Sequence, residues 1–77
     1  PTFLVTDGED ETANYFLMER GRFVGMGQLS KEVINDNIES IKTNLTIYPD
    51  NDYIRGLLYQ FAEKHPEKKI KILSQFG

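Results

Sequence analysis

Cysteine is absent from this 77-residue chain, and histidine occurs only once. Without cysteine the chain can form neither disulfide bonds nor thiolate metal sites, which fits a reducing cytosol. No apolar run approaches the roughly 20 residues that a membrane-spanning helix needs. We therefore expect no membrane partner and a cytoplasmic location.

An excess of positive charge is also missing, since 9 basic residues stand against 12 acidic ones and the net charge is −3. Nucleic-acid affinity comes largely from neutralising phosphates, so this balance argues against strong DNA binding by the chain alone. The length allows one domain with a thin core. Because strand-like residues begin at once in Pro1-Thr2-Phe3, we expect residues 1–77 to be one domain cut from a longer protein.

Apolar runs predict three strands in the first half of the chain and one near its end. Phe3-Leu4-Val5 is a short buried strand. Residues 13–18 and 23–29 are joined by a short link that contains Gly21, which predicts a β-hairpin with this glycine at positive φ. Residues 69–72 alternate Lys and Ile, as a half-buried strand does.

Two amphipathic helices are predicted between these strands. Asp36 and Glu39 have the spacing of a capping box, and Asp50 or Asn51 can cap the second helix. Pro66 ends the second helix after His65. The apolar repeat of the first helix is Ile38, Ile41 and Leu45, and that of the second is Ile54, Leu57, Leu58 and Phe61.

The order β-β-β-α-α-β predicts the α+β class. We expect an antiparallel sheet of three to four strands with two helices packed on one face, because that arrangement buries both apolar sets.

The glycine-rich stretch YFLMERGRFVGMGQL, residues 15–29, is a candidate phosphate loop. Gly25-Met26-Gly27 could begin a dinucleotide fingerprint, but position 30 is Ser and the surrounding pattern is not βαβ. We favour a structural role, in which the two glycines share one face of a strand with Phe23 and Leu29. Their missing side chains would let a helix approach closely or would mark a bulge.

Acidic residues could bind a hard cation at residues 7–11 or 50–52, but neither stretch has EF-hand spacing. His65 has no serine or cysteine with a triad-like neighbourhood. We therefore predict no catalytic residue, no metal site and no cofactor. Tyr15, Tyr53 and Tyr59 could stack on bases, although packing at the margin of the core is the reading we favour.

Basic residues are the remaining candidates for contact with nucleic acid or a partner. Arg20 and Arg22 flank the hairpin turn, where a basic finger can touch phosphate, although turns are mostly solvated surface. Lys68, Lys69 and Lys71 could face nucleic acid or the rest of a larger protein. They could equally guard an edge strand against pairing, which is the reading we favour.

Several segments together resemble a known family. They are a strand ending in Asp7 with the acidic-polar loop after it, the stretch YFLMERGRFVGMGQL, the run IESIKTNLTIYPDN and the helix DYIRGLLYQFAEKH. They resemble the C-terminal extension of bacterial DNA polymerase III epsilon-subunit-like exonucleases. The resemblance covers residues 2–72 and is most distinctive at Gly21-Arg22, Gly25, Gly27 and Tyr48 to Asn51. Family members often have a basic segment after the first strand, where this chain has Gly8-Glu9-Asp10-Glu11.

In that family a 3′–5′ exonuclease domain is fused to a GIY-YIG-type, excinuclease-like region. The family's catalytic residues belong to those other domains, so the resemblance implies a non-catalytic accessory domain from the C-terminal part of a nuclease. The implied partners are the other domains of that nuclease and, weakly, DNA. Two alternatives are a weak nucleic-acid-binding module and a self-association module that pairs through Phe3 or the last strand.

Overall fold

The computed structural model describes residues 2–72 and contains one antiparallel sheet with helices on it. The α+β class predicted from the sequence is confirmed. The sheet has five strands rather than three to four, in the order β4-β3-β2-β1-β5. The elements are β1 Phe3–Thr6, β2 Thr12–Glu19, β3 Arg22–Ser30, α1 Lys31–Ile34, α2 Ile38–Asn44, β4 Thr46–Ile47, α3 Asp52–Lys64, a 3-10 turn Pro66–Lys68 and β5 Lys69–Lys71.

The predicted hairpin is formed by β2 and β3, whose turn consists of Arg20 and Gly21. Their φ angles are 55° and 79°. Two successive residues at positive φ match the right-handed twist of the flanking strands, and glycine adopts this conformation without steric cost. The predicted role of Gly21 is therefore confirmed.

A β-bulge interrupts the pairing of β2 with β3. Leu17 pairs with Gly25, whereas Met18 pairs with Phe23, so Val24 is an extra residue in β3. The bulge reverses the alternation of faces, and Phe23 lies on the opposite face from Gly25. The prediction that Phe23 shares a face with the two glycines is therefore wrong, because a period-2 pattern cannot pass through a bulge.

One face of the sheet is covered by α1 and α2. Asn37 caps α2, and its side-chain oxygen accepts a hydrogen bond from the Ser40 N–H at 2.9 Å, one residue later than the capping box predicted at Asp36. The buried residues on this face are Leu4, Ala13, Tyr15, Leu17, Leu29, Ile41 and Leu45.

The other face is covered by α3, so the prediction that both helices pack on one face is wrong. The reason is that β1 lies inside the sheet, between β2 and β5, and all four of its residues are buried. The buried residues on the α3 face are Phe3, Val5, Met18, Phe23, Leu58 and Ala62. Because β1 is paired on both sides, Phe3 cannot pair with another copy of the chain at a sheet edge. The edges of the described sheet are β4 and β5, so self-association through the last strand stays a prediction.

Helix α3 ends at Lys64, immediately before His65 and Pro66, as predicted. None of the helices in residues 2–72 combines the length and the apolar character that crossing a membrane requires.

Candidate functional site

Two adjoining grooves lie where β3, β4 and the first turn of α3 meet. The first, here the basic groove, is open, measures about 710 Å³, and is lined mainly by Glu19, Arg20, Arg22, Lys42, Tyr48 and Asp50. The second, here the apolar groove, measures about 250 Å³ and is lined mainly by Phe23, Met26, Tyr48, Pro49 and Ile54. Tyr48 therefore belongs to both grooves.

The segment between β4 and α3 is fastened to β3 by hydrogen bonds. The Tyr48 N–H donates to the Val24 carbonyl at 2.9 Å. The Phe23 N–H donates to Asp50 Oδ1 at 3.0 Å, so this carboxylate continues the ladder that the two-residue β4 leaves short. Asn51 caps α3 by accepting from the Ile54 N–H at 3.0 Å. These bonds fix the position of Tyr48 and the start of α3.

Both carboxylates of the basic groove are engaged within the chain. Glu19 Oε1 lies 2.7 Å from Lys42 Nζ, and Asp50 Oδ2 lies 3.3 Å from Arg55 Nη1. Arg20 and Arg22, in contrast, form no ion pair with any of residues 2–72. Within the lining of the basic groove, the two guanidinium groups at the hairpin turn are therefore the charges that lack an ion-pair partner among residues 2–72.

Tyr48 forms an aromatic platform between the two grooves. Its ring stacks on Phe23, with centroids 6.2 Å apart and an angle of 19° between the planes. Phe23 is buried, whereas Tyr48 is 41% exposed. The buried ring supports the exposed one, so the tyrosine is held in place while part of it remains open to solvent.

Exposed apolar residues also lie on α3, the helix whose Ile54 lines the apolar groove. Leu57, predicted from its spacing to pack in the core, is 47% exposed, and Tyr53 one turn earlier is 75% exposed. Gly56, on the same helix, has no atom within 4 Å of the position that a Cβ would occupy. With Met26, which is also exposed, these residues form the apolar rim, defined here as Met26, Tyr53, Gly56 and Leu57.

The predicted basic tail lies at the other edge of the sheet. Lys69 and Lys71 are on β5, where Lys71 pairs with Phe3, and Lys68 ends the preceding 3-10 turn. Cross-strand partners point to the same face, so Lys71 is on the face of α3. The Lys69 ammonium lies 4.5 Å from the centroid of the Phe3 ring, a cation–π contact.

The hairpin arginines are separated from these lysines. Arg22 pairs across the hairpin with Glu19, whose carboxylate contacts Lys42 of α2. Arg22 is therefore on the α2 face, opposite to Lys69 and Lys71. The five basic residues proposed from the sequence form two surfaces rather than one, and their role in nucleic-acid or partner contact stays a prediction.

The glycines of the candidate phosphate loop lie inside a strand. A Cβ at Gly25 would overlap the carbonyl oxygen of Thr46 in β4, and one at Gly27 would lie 3.5 Å from Leu45 Cδ2. The close approach at Gly25 is therefore made by a strand backbone rather than by the expected helix. Glycine is required there for packing, which is the structural role that the sequence favoured.

The acidic stretches do not assemble a cation site in the described part of the chain. The Asp and Glu side chains of residues 7–11 are exposed, and no group of three or more His, Cys, Asp or Glu residues within 2–72 is placed to hold a metal ion. His65 Nδ1 lies 3.5 Å from Glu67 Oε2 at the end of α3.

Tyr48 and the side-chain role of Asp50 were missed in reasoning from the sequence. Of the tyrosines considered there, Tyr15 is buried and Tyr59 packs edge-on against Phe3 with centroids 5.7 Å apart. Pro49 could have indicated the role of Tyr48. A proline stops α2 from continuing, and it also keeps the residue before it in extended geometry, here beside β3.

The fold and these two grooves define a small α+β domain with an exposed aromatic and basic surface at one edge of its sheet. Comparison of the chain with protein-family models, with curated proteins and with solved structures finds no match. The resemblance to epsilon-like exonucleases therefore stays a prediction that rests on the sequence segments quoted above.

Proposed function

We propose that this chain is a non-catalytic accessory domain of a DNA-processing nuclease, and that it docks to another domain of the same protein. The observation that carries the docking proposal is the apolar rim beside the apolar groove. Contiguous exposed apolar surface on a small domain typically marks an interaction site. Fully burying one side chain of the size of Leu57 or Met26 contributes about 1.5–3 kcal/mol to the free energy of binding. A partner that covers the apolar rim would therefore form a more stable complex.

The nuclease part of the proposal is supported by the resemblance of residues 2–72 to the C-terminal extension of epsilon-like exonucleases. In such a protein the catalytic residues belong to the other domains. A cytoplasmic location goes with this proposal, because the DNA of a bacterial cell lies in its cytoplasm.

The first test is the reading frame that precedes Pro1. We expect it to encode an exonuclease or GIY-YIG signature. The chain itself, incubated with single- and double-stranded DNA and either Mg²⁺ or Mn²⁺, should release no nucleotide. Hydrolysis that survives stringent purification would contradict the non-catalytic assignment, and a frame without either signature would contradict the nuclease assignment.

The docking surface is tested by mixing the chain with the rest of its parent protein in a calorimetric titration. Leu57→Ser and Met26→Ser should each weaken binding about tenfold, since tenfold corresponds to about 1.4 kcal/mol. Glu63→Ser, an exposed position of the same helix, is the matched control and should bind as the wild type does. Unchanged binding in both rim variants would show that another surface docks. Sedimentation of the chain alone as a dimer would favour self-association instead.

A further inference from the structure

We propose that the basic groove binds single-stranded nucleic acid, with Arg20 and Arg22 on phosphates and Tyr48 stacked on a base. This inference goes beyond docking, because it uses a different groove and a different chemistry. The three side chains line the same open groove, at the end of the sheet where the β2–β3 turn projects.

Charge in the basic groove favours an anion although the whole chain is acidic. Its lining has three cations, Arg20, Arg22 and Lys42, and two carboxylates, Glu19 and Asp50, which leaves 3 − 2 = +1. Both carboxylates already have partners, because Glu19 pairs with Lys42 and Asp50 pairs with Arg55 outside the lining. The surplus therefore resides on the two arginines, whose planar fork of donors matches a phosphate.

Tyr48 supplies the aromatic half of the site. Its ring is supported by the buried ring of Phe23, and its backbone is held by the hydrogen bond to Val24. A side chain that is already ordered loses little entropy when a base stacks on it. Stacking on an aromatic ring beside a positive groove is how proteins bind single strands without sequence preference.

A single strand fits these observations better than a duplex. The bases of a duplex are stacked on one another, so Tyr48 could not reach a base face, whereas a single strand turns its bases outward. Two phosphate contacts also predict weak binding. The logarithm of the affinity should fall with the logarithm of the salt concentration with a slope of about −1.4, twice the value of about −0.7 for one contact on a single strand.

The test is a titration of a short fluorescein-labelled oligothymidylate with the chain, followed by fluorescence anisotropy over a tenfold range of salt. The affinity should fall about 25-fold over that range. Arg22→Gln should halve the slope to about −0.7 and weaken binding about fivefold at the lowest salt. Tyr48→Leu should weaken binding about tenfold and leave the slope unchanged.

Matched variants separate the site from general effects. Tyr48→Phe keeps the ring and should bind as the wild type does. Lys64→Gln removes the same charge as Arg22→Gln from exposed α3, and Tyr53→Leu removes an exposed tyrosine outside both grooves. Neither should change the affinity.

Three results would overturn the proposal. One is an affinity that does not depend on salt. Another is a loss of binding in Lys64→Gln or Lys69→Gln that equals the loss in Arg22→Gln, because the contact would then be diffuse or lie at β5. The third is a duplex of the same length that binds as tightly as the single strand. Since the docking test uses Met26 and Leu57, the two proposals can fail independently.

Discussion

The two faces of the sheet are covered to different extents. On the face of α1 and α2, partly buried apolar residues surround the buried cluster and include Val33, Ile34 and Ile38 of the helices themselves. On the face of α3, the cluster is smaller, and Met26 and Tyr48 remain exposed beside it. The first face is closed except near Ile47 of β4, which is 57% exposed. The second is partly open, and the apolar groove lies at its uncovered side, whereas the basic groove is also lined by Arg22 and Lys42 from the first face.

Geometry explains why α3 cannot close its face. Helix α3 follows β4 at one edge of the sheet and precedes β5 at the other, so it runs across the strands. A helix is about 10 Å wide with its side chains, whereas the nine residues of β3 extend over about 30 Å. One helix therefore covers only part of the length of the strands: α3 packs on Phe3, Met18 and Phe23, which pair across β1, β2 and β3, and Met26 remains exposed.

The largest change in the free energy of unfolding should come from truncating a buried side chain on the closed face. Ile41→Ala, at a position that is 1% exposed, should lower the free energy of unfolding by about 3 kcal/mol, because it leaves a cavity in the core. Met26→Ala on the open side should change it by no more than about 0.5 kcal/mol. Urea unfolding followed by circular dichroism measures both. Similar losses in the two variants would mean that the faces do not differ in packing.

Adding one carbon atom at Gly25 tests how tightly β3 packs against β4. Gly25→Ala should lower the free energy of unfolding by about 2 kcal/mol, because the new Cβ overlaps the backbone of β4, which cannot move without breaking the sheet edge. Gly27→Ala is the matched control, with its nearest atom at 3.5 Å, and should cost less than about 1 kcal/mol. Thermal unfolding of the two variants side by side would refute this account if their order were reversed.

The smallest change in the free energy of unfolding is expected for a substitution on the exposed surface of α3. This change should have the opposite sign. Gly56→Ala should raise the free energy of unfolding by about 0.5–1 kcal/mol, because alanine favours the helix and no atom obstructs its Cβ. Differential scanning calorimetry would show a higher melting temperature. A lower one would mean that the outer surface of α3 is packed in the isolated chain.

Elements with strong local patterns could be predicted from the sequence. The hairpin followed from Gly21, and α3 followed from its repeat and from Pro66. Helix α1 has four residues and β4 has two, so neither is long enough to show a period.

The order of the strands and the face on which each helix packs could not be predicted, because they depend on contacts between residues that are distant in the sequence. The continuous apolar run Phe3-Leu4-Val5 did indicate that helices cover both faces, since such a run is typical of a strand that is buried on both sides. The partly open face, and with it the role of Tyr48, depends on the bond from the Phe23 N–H to Asp50, which are 27 residues apart. No local pattern specifies such a contact.

The pairing of β1 with β5 has a consequence for how the chain reaches its native state. Phe3 pairs with Lys71, so the strand nearest the start of the chain gains its second neighbour from one of the last described segments. Loops this long close slowly compared with hairpins and helices. Until they close, an apolar strand of four residues presents unpaired N–H and C=O groups along one side, which is the form in which polypeptides pair with other chains. In the folded domain the three residues of β5 pair with this side of β1 and remove that opportunity.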